Sequence, residues 1–182
     1  GLSLKWFRDN FCMPEMDTAE LMGVDPYFLM DQQADKVNPG CDGLVYLPYL
    51  MGERTPHLDP DAKGVFFGLS ARHNRRDMLR SVMEGVGYSL KDCMEIIKSM
   101  GIEVNEVRAS GGGGKSKLWR QMQADMFNTD MVTINSSEGP ALGVALLAGV
   151  GAGIYSSVPQ ACEAAIKTVH TQAPIAQNVS VY

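Results

Sequence analysis

The sequence has few cysteine and histidine residues, and their spacing excludes several kinds of site. The cysteines are Cys12, Cys41, Cys93 and Cys162. They show neither the short paired spacing of a zinc site nor the density of a disulfide scaffold, so we expect reduced, mostly buried thiols. The histidines are His57, His73 and His170. They are equally dispersed, and we predict no metal site in this chain.

The given residues contain no long apolar run, no signal-peptide pattern in their first residues and no excess of positive charge. A membrane-spanning helix needs roughly 18 apolar residues in a row, and no stretch reaches that length. The first residues, GLSLKWFRDNF, have neither the apolar core nor the cleavage site of a signal peptide, so we expect a cytoplasmic protein. The 16 Lys and Arg residues are scattered and the net charge is −5, which favours small polar ligands over nucleic acid or a membrane surface.

What the chain does have is the composition of a globular domain. Its 182 residues are 45% hydrophobic, enough for one domain with a sizeable core. Leu4, Phe7 and Phe11 share one helical face, which predicts a helix at the start of the chain. Asp25 as N-cap and Pro26 at the first helical position predict a second helix.

The order of the remaining elements indicates the fold class. Predicted strands cover 43–50, 64–70, 104–110 and 131–135. Predicted helices cover 75–100, 116–127, 139–151 and 158–169. Asn74 with Asp77 begins the longest of these helices, and Ser157 with Gln160 begins the last. Alternation of strands and helices in the second half implies right-handed parallel crossovers, and therefore an α/β sheet with helices on both faces.

The segment EVRASGGGGKSKLWRQMQAD (106–125) places four glycines between a predicted strand and a predicted helix. A P-loop reads G-x-x-x-x-G-K-[ST]; Gly114-Lys115-Ser116 matches its end, but Ala109 stands where the first glycine is required. Two interpretations remain. The glycines either allow a tight connection, or they let a phosphate group approach the free N–H groups of the helix N-terminus. The run of four glycines favours a ligand.

Four segments of the chain, taken together, resemble one protein family. They are GLSLKWFRD (1–9), LPYLMGERTPHLDPDAKGVFFGL (47–69), SGGGGKSKLWRQMQADMF (110–127) and GPALGVALLAG (139–149). In this order they are similar to the FGGY family of carbohydrate kinases. The resemblance implies an α/β domain of the ribonuclease H-like, actin-like ATPase fold, a mixed sheet with helices on both faces. It also implies that residues 1–182 are the C-terminal, nucleotide-side domain, and that the N-terminal domain is absent from this chain.

The resemblance implies an activity and a set of contact residues. The expected reaction is transfer of the γ-phosphoryl group of ATP, with Mg²⁺, to a sugar hydroxyl. D-xylulose is the expected sugar, with gluconate, ribulose or another sugar as alternatives. By position, the implied nucleotide contacts are Gly1, Lys5, Gly112, Gly113 and Ser116. The general-base Asp and the sugar site are expected in the absent N-terminal domain, so no catalytic residue is assigned here and the isolated chain is expected to be inactive.

Other features leave alternatives open. Family enzymes are often dimers, so a homodimer is expected. A non-catalytic, actin-like nucleotide-binding or assembly module is a second hypothesis, which predicts that the chain binds nucleotide and self-associates by itself. Trp6 and Trp119 are more typical of a core than of adenine stacking, and Lys115 is expected at a rim. The loop from Glu53 to His57 either anchors itself or faces a cleft.

Overall fold

The computed structural model describes residues 1–136 and 139–182. The helices in these residues are α1 (Leu2–Phe11), α2 (Met13–Met22), α3 (Pro26–Ala34), α4 (Arg75–Ser99), α5 (Gly111–Lys115), α6 (Lys117–Phe127), α7 (Gly139–Gly151), α8 (Val158–Ala165) and α9 (Ala176–Val179). The strands are β1 (Val45–Leu47), β2 (Val65–Phe67), β3 (Glu106–Arg108), β4 (Asp130–Ile134) and β5 (Thr168–Gln172).

The strands form two separate sheets. β1 and β2 make an antiparallel pair in which Tyr46 lies opposite Phe66. The second sheet has the order β3-β4-β5, with β3 parallel to β4 and β4 antiparallel to β5. The parallel crossover from β3 through α5 and α6 to β4 confirms the predicted α/β organisation, and the sheet is mixed.

Helix α4 is the central element of the packing. Asn74 begins it with the predicted capping box, because its side chain accepts from the Arg76 N–H at 2.8 Å and Asp77 accepts from the Asn74 N–H at 2.7 Å. Its apolar stripe packs in a core shared with α1, α3, β1 and α6. Gly85 lets β1 approach closely, since a Cβ there would lie only 2.1 Å from the Tyr46 carbonyl oxygen.

A buried polar cluster ties the end of the chain to α4. Arg80 and Glu84 are one turn apart, and the Arg80 Nε donates to Glu84 Oε1 at 2.7 Å. The hydroxyl of Tyr182 donates to the same carboxylate at 2.6 Å and accepts from Arg80 at 2.9 Å. The thiol of Cys41 donates to the other carboxylate oxygen at 3.3 Å. Every oxygen of the buried carboxylate therefore has a partner.

The prediction for the last helix is wrong at its C-terminal end. Helix α8 begins after Ser157 as predicted, but it ends at Ala165 rather than near Val169. The side chain of Asn135 accepts from the Lys167 N–H at 2.9 Å and donates to the Ala165 carbonyl at 3.0 Å. These bonds end the helix and direct the chain into β5, which pairs with β4.

Two further differences concern length and glycine. The predicted strands 43–50, 64–70 and 104–110 shorten to three residues each. The four glycines form the short helix α5 rather than an open turn. In the described part of the chain, no helix is long and apolar enough to cross a membrane.

Candidate functional site

An open cavity of about 420 Å³ lies between α1, α3 and the glycine helix α5. Its walls are the start of α1, the first two turns of α3, and the segment from α5 into α6. The lining residues are Gly1, Leu4, Asp25, Tyr27, Phe28, Asp31, Gly112, Gly113, Lys115, Ser116 and Trp119. The volume falls in the range of small-molecule sites, and the wall combines apolar side chains with a few polar groups.

The glycines of α5 serve different purposes. Gly111 has a φ of 68°, and a Cβ on Gly114 would lie 3.1 Å from the Ala109 carbonyl carbon. These two residues fit the interpretation that glycine permits a tight connection from β3. A Cβ on Gly113 would lie 3.3 Å from the ring of Trp119, whereas a Cβ on Gly112 would meet nothing within 4 Å. Packing therefore does not explain Gly112, which lines the cavity.

Ser116 links the glycine helix to α6. Its side chain is the N-cap of α6 and accepts from the Trp119 N–H at 3.0 Å. On the other side it lies beside Asp31 of α3. Burial raises the pKa of the Asp31 carboxyl, the charges of Asp25 and Asp35 raise it further, and the Ser116 hydroxyl opposes that shift by hydrogen bonding.

The tryptophans are core residues, as predicted. Trp119 is 5% exposed and Trp6 is partly buried against the same cluster. Trp119 also forms the floor of the cavity beneath Gly113, so it belongs to both the core and the site. Within the described residues its indole N–H is buried and has no hydrogen-bond partner.

The structure brings together four of the five residues expected to contact a ligand. Gly1, Gly112, Gly113 and Ser116 all line the cavity. Lys5 does not line it; it is exposed, one turn along α1, where its N–H donates to the Gly1 carbonyl at 3.2 Å. Lys115 is exposed at the edge of the cavity, in agreement with the expected rim position.

Sequence reasoning missed the contribution of α3. Tyr27, Phe28 and Asp31 form one wall of the cavity, although the sequence analysis predicted only that this segment is a helix and assigned it no role in a site. A signal was present: Asp31 follows Tyr27 by four residues and Phe28 by three, so the three side chains share one helical face. Nothing in the sequence showed which segment this face would meet.

The loop from Glu53 to His57 lies at a separate surface cavity. Glu53 accepts from the Thr55 N–H at 2.6 Å, and its backbone pairs with Asp59. These contacts agree with the self-anchored interpretation of the loop. Within the described residues, no three His, Cys, Asp or Glu side chains converge as a metal site.

Comparison with known proteins shows where the chain belongs. The pattern for the FGGY family of carbohydrate kinases, C-terminal domain, matches residues 1–152. The whole chain is 39% identical to xylulose kinase from Bacillus subtilis (strain 168), covering 34% of that protein, and 37% identical to gluconokinase from Bacillus licheniformis, covering 36%. The crystal structure of ligand-bound xylulose kinase from Lactobacillus acidophilus matches all of this chain with a TM-score of 0.86 at 26% identity.

That match covers 35% of the crystallised chain. The present chain thus spans about a third of the length of the relatives it matches. The agreement confirms the fold class expected from the sequence, an α/β domain of the actin-like ATPase type. This chain belongs to the FGGY family of carbohydrate kinases, in the region of the C-terminal domain.

Proposed function

We propose that this chain is the nucleotide-binding part of a sugar kinase that transfers the γ-phosphoryl group of ATP to a ketopentose hydroxyl, D-xylulose being the leading candidate. The observation that carries the proposal is the single cavity in which Gly112, Gly113 and Ser116 meet the start of α1. In this proposal residues 1–182 form the C-terminal domain of a longer enzyme, and the sugar is bound mainly by its N-terminal domain.

The cavity suits ATP at both ends. The open space above Gly112 lets a ribose or phosphate group lie against the backbone without meeting a side chain. Leu4, Tyr27 and Phe28 offer apolar surface to a flat base. Gly1 lies at the start of α1 and Ser116 at the start of α6, so both also fit the proposed contacts. Lys5 does not line the cavity, so we assign it no contact with the nucleotide within this chain.

The role of these residues in the reaction is positioning. A lone pair of the sugar hydroxyl attacks the γ-phosphorus, the bond to the leaving ADP oxygen breaks, and the hydroxyl proton passes to a general base. We place that base in the N-terminal domain. This chain would hold the adenosine and the proximal phosphates so that the γ-phosphoryl group faces the sugar.

Mg²⁺ accompanies ATP in the proposed reaction. We assign no Mg²⁺ ligand to this chain: two carboxylates, Asp25 and Asp31, line the cavity, and the described residues contain no group of three or more His, Cys, Asp or Glu side chains that could hold a metal ion. We therefore derive no step through the metal. The phosphates of the nucleotide would carry most of its coordination.

Gluconate is the second candidate substrate. The identities of 39% to a xylulose kinase and 37% to a gluconokinase differ little, and both span the entire chain. The match favours D-xylulose only slightly, and the GERTPH loop supports the same choice by resemblance. Because sugar recognition is assigned to the other domain, activity must decide between the two sugars.

The first experiment measures ATP consumption with D-xylulose and with D-gluconate. It compares the 182-residue chain with the same chain extended upstream by its native sequence. Turnover only in the extended chain supports the proposal, and the sugar that is phosphorylated faster identifies the preferred substrate. Turnover by the 182 residues alone, or no turnover with any sugar in the extended protein, contradicts it.

A second experiment tests the cavity directly. Trp119 lies under Gly113, so its fluorescence should change when ADP binds. Gly112→Val should weaken ADP binding at least tenfold while leaving the fold intact, because a Cβ there meets nothing. Gly143→Val is the matched control on an exposed helix, where a Cβ also meets nothing. Equal ADP affinity for both variants would place the nucleotide elsewhere.

The proposal includes a cytoplasmic, dimeric enzyme of xylose metabolism. The four cysteines are dispersed along the sequence, without the density of a disulfide scaffold, and this spacing is our argument for a reducing compartment. Exposed apolar side chains on α7, Val144 at 68% and Leu147 at 60%, support contact with further polypeptide. If the extended protein sediments as a monomer at micromolar concentration, the proposed dimer is wrong.

A further inference from the structure

Asp31 is a charged residue of the cavity wall that has no ion-pair partner among the described residues. It lies in the middle of α3, is half-buried, and lines both the main cavity and a neighbouring one of about 530 Å³. Among the described residues it makes no ion pair within 4 Å, even though Lys115 lines the same two cavities. The other acidic residues of this region have simpler explanations, since Asp25 caps α3 and Asp35 is exposed.

The contacts of Asp31 leave acceptor capacity free. The Ser116 oxygen already accepts from the Trp119 N–H, so its hydroxyl proton is available to Asp31. A carboxylate has about four lone-pair sites and only accepts hydrogen bonds when ionised. One hydroxyl therefore satisfies a small part of this group. Asp31 lines a cavity whose wall also includes Tyr27 and Phe28, two aromatic residues of the same helix.

We propose that Asp31 sets the nucleobase preference of the cavity by accepting a hydrogen bond from the amino group at position 6 of adenine. This inference rests on the proposed nucleotide site, in which the phosphates lie toward Gly112 and the base toward Ser116. Adenine presents an amino donor at position 6. Hypoxanthine presents a carbonyl acceptor at the same position, which would face the carboxylate and leave both groups unpaired.

Burial supports this assignment. A carboxylate removed from water without a cation is costly, and burial raises the pKa of Asp31 for that reason. Such groups are concentrated at functional sites. Sites built to hydrogen-bond one group reject an analogue that lacks it far more strongly than apolar pockets reject an extra methylene.

The test compares ADP with inosine diphosphate, whose base has a carbonyl oxygen in place of the amino group at position 6 and carries a proton on N1. Binding is measured by tryptophan fluorescence or calorimetry on the chain with its native upstream sequence. The wild type should bind ADP at least about tenfold more tightly than inosine diphosphate. Asp31→Asn should reduce that ratio at least about tenfold, because an amide can also donate to the hypoxanthine oxygen.

Two further variants separate the hydrogen bond from other effects. Asp35→Asn removes the same charge at the C-cap of the same helix, an exposed position outside the main cavity, and should leave the ratio unchanged. Asp31→Glu keeps the charge but moves the carboxylate, so the ratio should fall. This variant also keeps the test open if Asp31→Asn does not fold.

The outcomes distinguish this inference from the proposed function. Equal binding of both diphosphates by the wild type, or an unchanged ratio in both Asp31 variants, overturns the role of Asp31 while the nucleotide site stands. Equal shifts in Asp31→Asn and Asp35→Asn also overturn it, because the effect would then be one of net charge. Failure of the wild type to bind either diphosphate overturns the nucleotide site and the inference together.

Discussion

Helices α4 and α7 are both rich in apolar residues, but they are packed very differently. Helix α4 buries one continuous stripe, including Leu79, Val82 and Met83, against α1, α3, β1 and α6. Helix α7, GPALGVALLAGVG, is apolar around its whole circumference, yet only Leu146 and Gly149 are buried. Its main contacts are with α8.

The difference indicates that the sequence of α7 is suited to a buried position, whereas most of its side chains are exposed in this chain. A helix that is apolar on all sides belongs to the interior of a protein. The relatives are about three times as long as this chain, so they contain sequence that could cover α7. We therefore expect α4 to be insensitive, and α7 to be sensitive, to whether upstream sequence is present.

The largest expected effect is at the buried ion pair of α4. Glu84→Gln should destabilise the chain by roughly 3–5 kcal/mol, because it leaves the buried Arg80 charge without its carboxylate. Urea unfolding gives the change. Tyr182→Phe is the milder control, since it removes one hydroxyl and leaves the ion pair in place. A Glu84→Gln loss no greater than that of Tyr182→Phe would show that the charge is not needed.

The next effect comes from the close contact between α4 and β1. Gly85→Ala should cost about 3 kcal/mol, at the upper end for overpacking, because the added methyl group would lie 2.1 Å from a backbone oxygen. Rigid backbone atoms cannot move aside as a side chain can. Thermal unfolding monitored by circular dichroism measures the loss. An unchanged melting temperature would mean that β1 and α4 separate freely.

The comparison between α4 and α7 can be tested by making the same α7 substitution in the 182-residue chain and in the chain extended by its native upstream sequence. Leu147→Ser should change the stability of the 182-residue chain by less than about 0.5 kcal/mol, because the side chain is 60% exposed. In the upstream-extended chain the loss should reach about 1.5 kcal/mol, if that sequence buries the leucine. Equal small losses in both would show that α7 stays uncovered in the longer polypeptide.

Where signals were local, the sequence predicted the structure well. The start of α4 follows from Asn74 and Asp77, which satisfy the first N–H groups of the helix without help from elsewhere. The starts of α3 and α6 likewise follow from the caps at Asp25 and Ser116. The end of α8 could not be predicted, because it depends on Asn135, a residue distant in sequence.

The candidate site divides in the same way. The glycine segment was recognisable as a candidate site because four consecutive glycines are unusual between a strand and a helix, although its helical conformation was not predicted. The contribution of Asp31 was not visible, because it depends on α3 packing beside Ser116, and no periodicity reports which helices become neighbours. Lys5 was expected at the site by resemblance, but one turn of α1 places it outside the cavity. Sequence patterns thus identify faces, and tertiary packing decides what those faces meet.

The smallest expected effect on the free energy of unfolding is at Gly143, and its sign depends on whether upstream sequence packs against α7. In the 182-residue chain, Gly143→Ala should stabilise by about 0.5–1 kcal/mol, because a Cβ at this helical position meets nothing within 4 Å and alanine loses less entropy on folding. If upstream sequence packs on α7, the same methyl group would meet it, and the gain should shrink or become a loss. Denaturant unfolding of the 182-residue chain and of the extended chain measures the change in stability in each. Ala145→Gly on the same helix is the reverse control. An equal gain in stability in both chains would show that position 143 faces solvent in the longer polypeptide as well. Contact with a second copy of the protein would then have to explain the apolar character of α7.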